Sequence, residues 1–157
     1  MTDQKITPCL WFDNQAEDAA NFYVSIFKNS KIESVSRYGK EGFEIHGQKE
    51  GTVLTVAFQI NGQPFTALNG GPVFKFTEAV SFQVFCETQV EIDDYWNKLT
   101  QGGQEVQCGW LKDKFGLSWQ IIPTILSKLL SDPSRAGRVM KAYLKMKKFD
   151  IEKLMQA

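Results

Sequence analysis

Histidine is nearly missing from this chain: one residue, His46, among 157. Nucleophilic sites of the Ser/His or Cys/His kind need a histidine beside the nucleophile. That chemistry would require the polar loop carrying His46 to fold back onto a serine or cysteine. Cysteine is scarce as well. Cys9, Cys86 and Cys108 are odd in number and widely spaced, with no CxxC, and no HExxH occurs. The common zinc patterns are therefore absent, and a reducing compartment, the cytoplasm, is expected. An excess of charge is missing too: 18 Lys and Arg balance 18 Asp and Glu. A nucleic-acid binder usually carries a basic surplus, so no nucleic-acid partner is expected. The one basic cluster, Lys141, Lys145, Lys147 and Lys148, reads as a solvated helix face. No GxGxxG and no P-loop glycine pattern occurs, which removes the usual dinucleotide and phosphate cradles. The N-terminus, Met1–Phe12, holds no long apolar run, so neither a signal sequence nor a membrane partner is expected. What the chain does hold is aromatic mass, with 12 Phe and 4 Trp. That is enough to fill a core or line an apolar pocket in a chain of this length.

The patterning along the chain repeats. Ile6–Phe12 reads as a strand, and Asp13-Asn14 as the cap of a helix carrying Ala19, Phe22, Tyr23 and Phe27 at helical spacing. Ile32–Tyr38 reads as a strand and Gly39–Gly51 as a loop. Thr52–Ile60 and Pro64–Leu68 form a hairpin around Asn61-Gly62, a pair that favours a tight turn. The sequence then begins again. Val80–Cys86 is a strand, and Glu87-Thr88 leads into a helix with Val90, Tyr95, Trp96 and Leu99. Gln104–Trp110 and Leu117–Ile122 are strands on either side of a turn at Lys112–Gly116. Asp113 and Lys114 in that turn read as solvated. One such half exposes a sheet face that it cannot bury alone, whereas two could bury it jointly. The tail from Thr124 is apolar and helical, and has to pack on its own domain or on a partner.

Certain strings carry a resemblance. They are Ile6-Thr7-Pro8-Cys9-Leu10-Trp11-Phe12, Leu68-Asn69-Gly70-Gly71-Pro72, Cys108-Gly109-Trp110, and Gly116-Leu117-Ser118-Trp119-Gln120-Ile121-Ile122-Pro123. On these the chain resembles the PhnB-like branch, labelled 3-demethylubiquinone-9 3-methyltransferase, of the vicinal-oxygen-chelate (glyoxalase/bleomycin resistance/dioxygenase) superfamily. The resemblance implies an α+β fold of two βαβββ modules forming a half-open, eight-stranded cupped sheet. It also implies paired modules at about 1–72 and 79–123, one domain over 1–123 and a helical extension over 124–157. Enzymes of the superfamily hold a divalent metal with His, Gln or Glu from four strands. The corresponding positions here would be Pro8, Ser81, Gln120, and Ala67 or Asn69. Proline cannot ligate and the others are neutral, weak donors. No metal and no cofactor are therefore expected.

Strand alternation extends the set. If Pro8, Asn69, Ser81 and Gln120 face the cup, so do Leu10, Phe12, Phe65, Phe85 and Ile122, together with Gln83 and Ser118. Trp110 would form a rim. The expected ligand-binding residues are thus Asn69, Ser81, Gln83, Phe85, Trp110, Ser118 and Gln120, a mostly apolar site with a few neutral hydrogen-bonding groups. It suits a small, neutral, partly aromatic molecule bound without a metal. The alternatives are an enzyme of the superfamily, of lyase or dioxygenase type and unknown reaction, an accessory dimer whose cup is filled core, and, least favoured, the methyltransferase of the label. Whether any reaction is catalysed stays open, and the catalytic residues are unknown. A homodimer is expected from the superfamily's habit of pairing modules between chains.

Overall fold

The computed structural model describes residues 4–157, and these divide into two compact units, 4–75 and 76–157. The first unit runs β1 (Cys9–Phe12), α1 (Ala16–Ile26), β2 (Lys31–Arg37), α2 (Phe43–His46), β3 (Val53–Ile60) and β4 (Gln63–Asn69). Its sheet has the order β1-β4-β3-β2, with β1 parallel to β4 and the others antiparallel. The second unit runs β5 (Ser81–Cys86), α3 (Gln89–Thr100), β6 (Gln104–Glu105), β7 (Trp110–Lys112) and β8 (Ser118–Pro123). Its sheet has the order β5-β8-β7-β6, again with the first and last strands parallel. The fold is α+β and consists of two βαβββ modules.

Each module buries one sheet face under its long helix. In the first, Ala16, Ala19, Ala20, Tyr23 and Ile26 form one stripe of α1 at helical spacing. The stripe packs on Leu10, Phe12, Val56, Phe58, Ile60, Phe65 and Ala67, all buried. The Tyr23 and Phe58 rings stack at 6.3 Å. In the second, Ile92, Trp96 and Leu99 of α3 are buried along with Leu111, Trp119 and Ile121. The expected hairpin is present: Asn61 and Gly62 both take positive φ, and Ile60 pairs Gln63 across the turn.

Four expectations need correction. The loop over Gly39–Gly51 contains the single-turn helix α2, bounded by Gly42 and Gly47 in the left-handed region. Gln104–Trp110 is not one strand. Cys108 and Gly109 take positive φ, the chain reverses, and Trp110 begins β7. Asp13-Asn14 does not cap α1. Its N-cap is Gln15, whose side chain makes no capping bond. Asp113 is buried rather than solvated. Its Oδ1 accepts from the Phe115 and Leu117 backbone N–H at 2.8 and 3.1 Å, and its Oδ2 from Trp119 Nε1 at 2.9 Å. A carboxylate so supplied with donors can be buried.

The tail forms α4 (Ile125–Ser131), α5 (Ala136–Tyr143) and α6 (Ile151–Gln156). It packs on its own unit through buried Leu129, Val139, Phe149 and Leu154. The Gln89 side chain grips it, donating to the Phe149 carbonyl at 3.0 Å and accepting from Ile151 N–H at 2.9 Å. Cys108 and Gly109 N–H donate to the carbonyls of Met146 and Lys147 at 2.8 and 2.7 Å. Among the described residues no helix is long and apolar enough to cross a membrane.

Candidate functional site

Side chains alternate across a strand, so the face away from α3 carries every second residue of the second sheet. Registers then arrange that face in rows. Ser81 pairs Ser118, which pairs Lys112. Gln83 pairs Gln120, which pairs Trp110. Phe85 pairs Ile122. Six of the seven expected ligand-binding residues, Ser81, Gln83, Phe85, Trp110, Ser118 and Gln120, therefore share one helix-free face. The face passes from hydroxyl and ammonium, through amide, to hydrocarbon.

The polar groups are linked. Gln120 Nε2 donates to Ser81 Oγ at 2.8 Å. Gln83 Nε2 lies 3.5 Å from Gln120 Oε1, a long contact. Ser81 thus accepts with its oxygen and keeps its own hydrogen for another partner. Ser118 differs: its Oγ is buried and bonds nothing. An unmade bond of that kind costs about 1–3 kcal/mol, and native proteins retain few of them. Lys112, beside Ser118, forms an ion pair with Glu78 that holds the Glu78 carboxyl below the usual carboxylate range. Lys112 was not expected on this face, having been read as the start of a turn. The shortness of β7 hid it, because three residues give too little alternation to read.

Asn69 lies elsewhere. It is buried on the helix side of the first sheet. Its Oδ1 accepts from the Ala16 backbone N–H at 2.8 Å, its Nδ2 donates to the Val53 carbonyl at 3.1 Å, and its own carbonyl accepts from the Tyr38 hydroxyl at 2.5 Å. Asn69 does for α1 what Asp13-Asn14 was expected to do, from 53 residues away. Leu10, Phe12 and Phe65 lie with it among the buried residues of that side. The first sheet's helix-free face holds the other phase of its strands, with Cys9, Trp11, Thr66 and Leu68. Trp11 Nε1 donates to the Gly71 carbonyl at 2.8 Å and its ring meets Phe74 edge-on at 4.9 Å. Both phases of β1 are largely apolar, so its sequence alone could not say which faces the helix.

His46 is committed to its loop. Its Nδ1 accepts from the Gln48 backbone N–H at 2.9 Å, which leaves the proton on Nε2 to face the Glu41 carbonyl at 3.0 Å, and its ring packs on Tyr38 at 4.6 Å. Among the described residues no group of three His, Cys, Asp or Glu side chains gathers as a metal site. At the positions that the resemblance sets against the superfamily's metal ligands, the polar side chains already have partners. Ser81 and Gln120 are neutral and bonded to each other, and both side-chain atoms of Asn69 serve the backbone. An open depression of about 650 Å³ lies away from the sheet face, between the start of α3 and α6, lined by Glu87, Gln89, Ile151 and Met155 among others.

Comparison with known proteins agrees with this architecture. The family described as 3-demethylubiquinone-9 3-methyltransferase matches residues 4–122. A PhnB protein from Bacillus cereus, of known structure and bearing the same methyltransferase label, is 42% identical over 77% of this chain and 100% of its own, with a TM-score of 0.68. Protein PA1353 from Pseudomonas aeruginosa is 15% identical over 77% of this chain and 98% of its own, with a TM-score of 0.61. The fosfomycin resistance protein FosX from Mesorhizobium loti is 11% identical over 83% and 99%, with a TM-score of 0.57. The last two share the fold. No match is found among curated proteins.

Proposed function

This chain belongs to the 3-demethylubiquinone-9 3-methyltransferase family, the PhnB-like branch of the vicinal-oxygen-chelate superfamily, and from that premise we propose that it binds a small, neutral, partly aromatic molecule without a metal. One observation carries the reading. The helix-free face of the second sheet holds the neutral side chains Ser81, Gln120 and Gln83, the first two hydrogen-bonded to each other, beside the rings of Trp110 and Phe85. A few oriented neutral polar groups among apolar ones suit an uncharged ligand. Phe85 is 61% exposed, a large apolar side chain left for something to cover.

The donor chemistry supports a metal-free site, because neutral hydroxyl and amide oxygens hold a catalytic divalent ion poorly. An enzyme of the superfamily is the second reading, and its acid–base groups on this face would be limited to Lys112 and its partner Glu78. The methyltransferase activity of the label is the third. A nucleotide-derived methyl donor is usually cradled by a glycine-rich turn after the first strand, and the chain continues from β1 as Asp13-Asn14-Gln15. Three free thiols favour a reducing cytoplasm. Superfamily habit favours a homodimer, and exposed Met140, Leu144 and Met155 on the tail offer apolar surface for one.

Elemental analysis and native mass spectrometry of protein purified without chelator test this directly. The expected result is a dimer free of stoichiometric metal, with any retained small molecule naming the ligand class. Stoichiometric Zn, Ni, Mn or Fe would overturn the metal-free reading and direct attention to lyase or dioxygenase assays.

A further inference from the structure

The rows of the second sheet's helix-free face imply an orientation for what it binds. Building on the binding reading above, we infer that the ligand is an aromatic carbonyl compound. Its oxygen sits between the hydroxyls of Ser81 and Ser118, and its ring lies toward Trp110 and Phe85.

Three observations meet here. First, Ser118 Oγ is buried and bonds nothing, although alanine would fill the strand position without the penalty of an unmade bond. Second, Ser81, its register partner on the adjacent parallel strand, accepts from Gln120 and so has its own hydrogen to give. Two hydroxyl donors side by side, with no negative charge, complement one acceptor oxygen with two lone pairs. Third, the face loses polarity in one direction. Successive rows are about 6.6 Å apart along the strands, and they run from Ser81 and Ser118, through Gln83, Gln120 and Trp110, to Phe85 and Ile122.

Lys112 stands on the other side of Ser118, but its charge is met by Glu78, so the polar row adds no net charge. This favours a ketone or amide oxygen over a carboxylate. Both partners of that pair are partly exposed, and such pairs hold weakly. The flexible Lys112 stem is therefore held only loosely at the strand position beside Ser118.

Benzylacetone and butylbenzene differ only in a carbonyl replacing a methylene, and each is titrated against the full chain by calorimetry. The ketone is expected to bind about 10-fold more tightly, the effect of one or two well-placed hydrogen bonds. Ser118→Ala should erase that preference while raising the melting temperature, because it removes an unsatisfied hydroxyl. Ser81→Ala should erase it as well, and serves as the test if the first variant folds poorly. Equal binding of the two probes, or a preference that survives both substitutions, overturns the inference and leaves the binding reading standing. Failure of both probes to bind counts against the inference and the binding reading alike.

Discussion

The two modules share strand order, pairing sense and helix placement, yet they anchor their helices by different means. In the second module the anchor is local: Thr88 and Glu91 form a reciprocal capping box at the start of α3. In the first, α1 has no local cap, and Asn69 supplies one from the end of β4. Aligning the modules by strand ends sets Phe12 beside Cys86 and Asn69 beside Pro123. Gln83 and Gln120 then correspond to Cys9 and Thr66, and Phe85 and Ile122 to Trp11 and Leu68. The lesson is that Asn69 and Gln120 are chemically similar and both sit on a last strand, but one parity step separates them. That step makes one a piece of the scaffold and leaves the other on the open face.

This contrast can be broken most severely at the tail. Deleting residues 124–157 removes Leu129, Val139, Phe149 and Leu154 from the second module's core. The truncated chain should elute as aggregate in size-exclusion chromatography, and a soluble, dimeric product would contradict the tail's role. Next in size is Gly109→Ala. A Cβ there would stand 2.4 Å from the Phe149 ring, at a φ of 79° that side chains resist. Strain and overpacking together should cost about 2–4 kcal/mol in urea denaturation.

The comparison itself is sharpened by paired substitutions. Asn69→Ala strands the Ala16 N–H and the Val53 carbonyl and should lower stability by about 1–3 kcal/mol without altering ligand affinity. Gln120→Ala should change stability by no more than about 0.5 kcal/mol, yet weaken any bound ligand several-fold. Similar losses of stability from both would mean that the open face is ordinary core. The smallest effect concerns the thiols. Burial, with the Glu91 charge second, pushes the Cys86 thiol up to about 11, so it remains protonated at neutral pH. Alkylation of native protein at pH 8, read by peptide mass spectrometry, should label exposed Cys9 well before Cys86. Rapid labelling of Cys86 would mean that the second module opens locally.

Much of the fold was legible because its signals are local. Asn61-Gly62 marks a hairpin by the backbone freedom those residues allow, and Glu87-Thr88 leads into a helix that the structure finds starting at Gln89. The face proposed as the site in the second module was legible for a similar reason. β5 and β8 are long enough for their two faces to differ, with Ser81, Gln83, Ser118 and Gln120 in one phase and Trp119 and Ile121 in the other. The first module gave no such contrast, because Leu10, Trp11 and Phe12 are all apolar.

By itself the sequence determined the period of the longer segments, the turns that must be tight, and the scarcity of histidine. Those properties depend on residue types and on neighbours close along the chain. The tertiary structure alone decided that Asn69 caps a helix 53 residues away, that Asp113 is buried against Trp119, and that Ser118 is enclosed without a bond. Each depends on which strand lies beside which and on the face a side chain turns to its neighbours. A local pattern cannot encode that, because shifting a strand by one residue preserves the pattern and reverses the face.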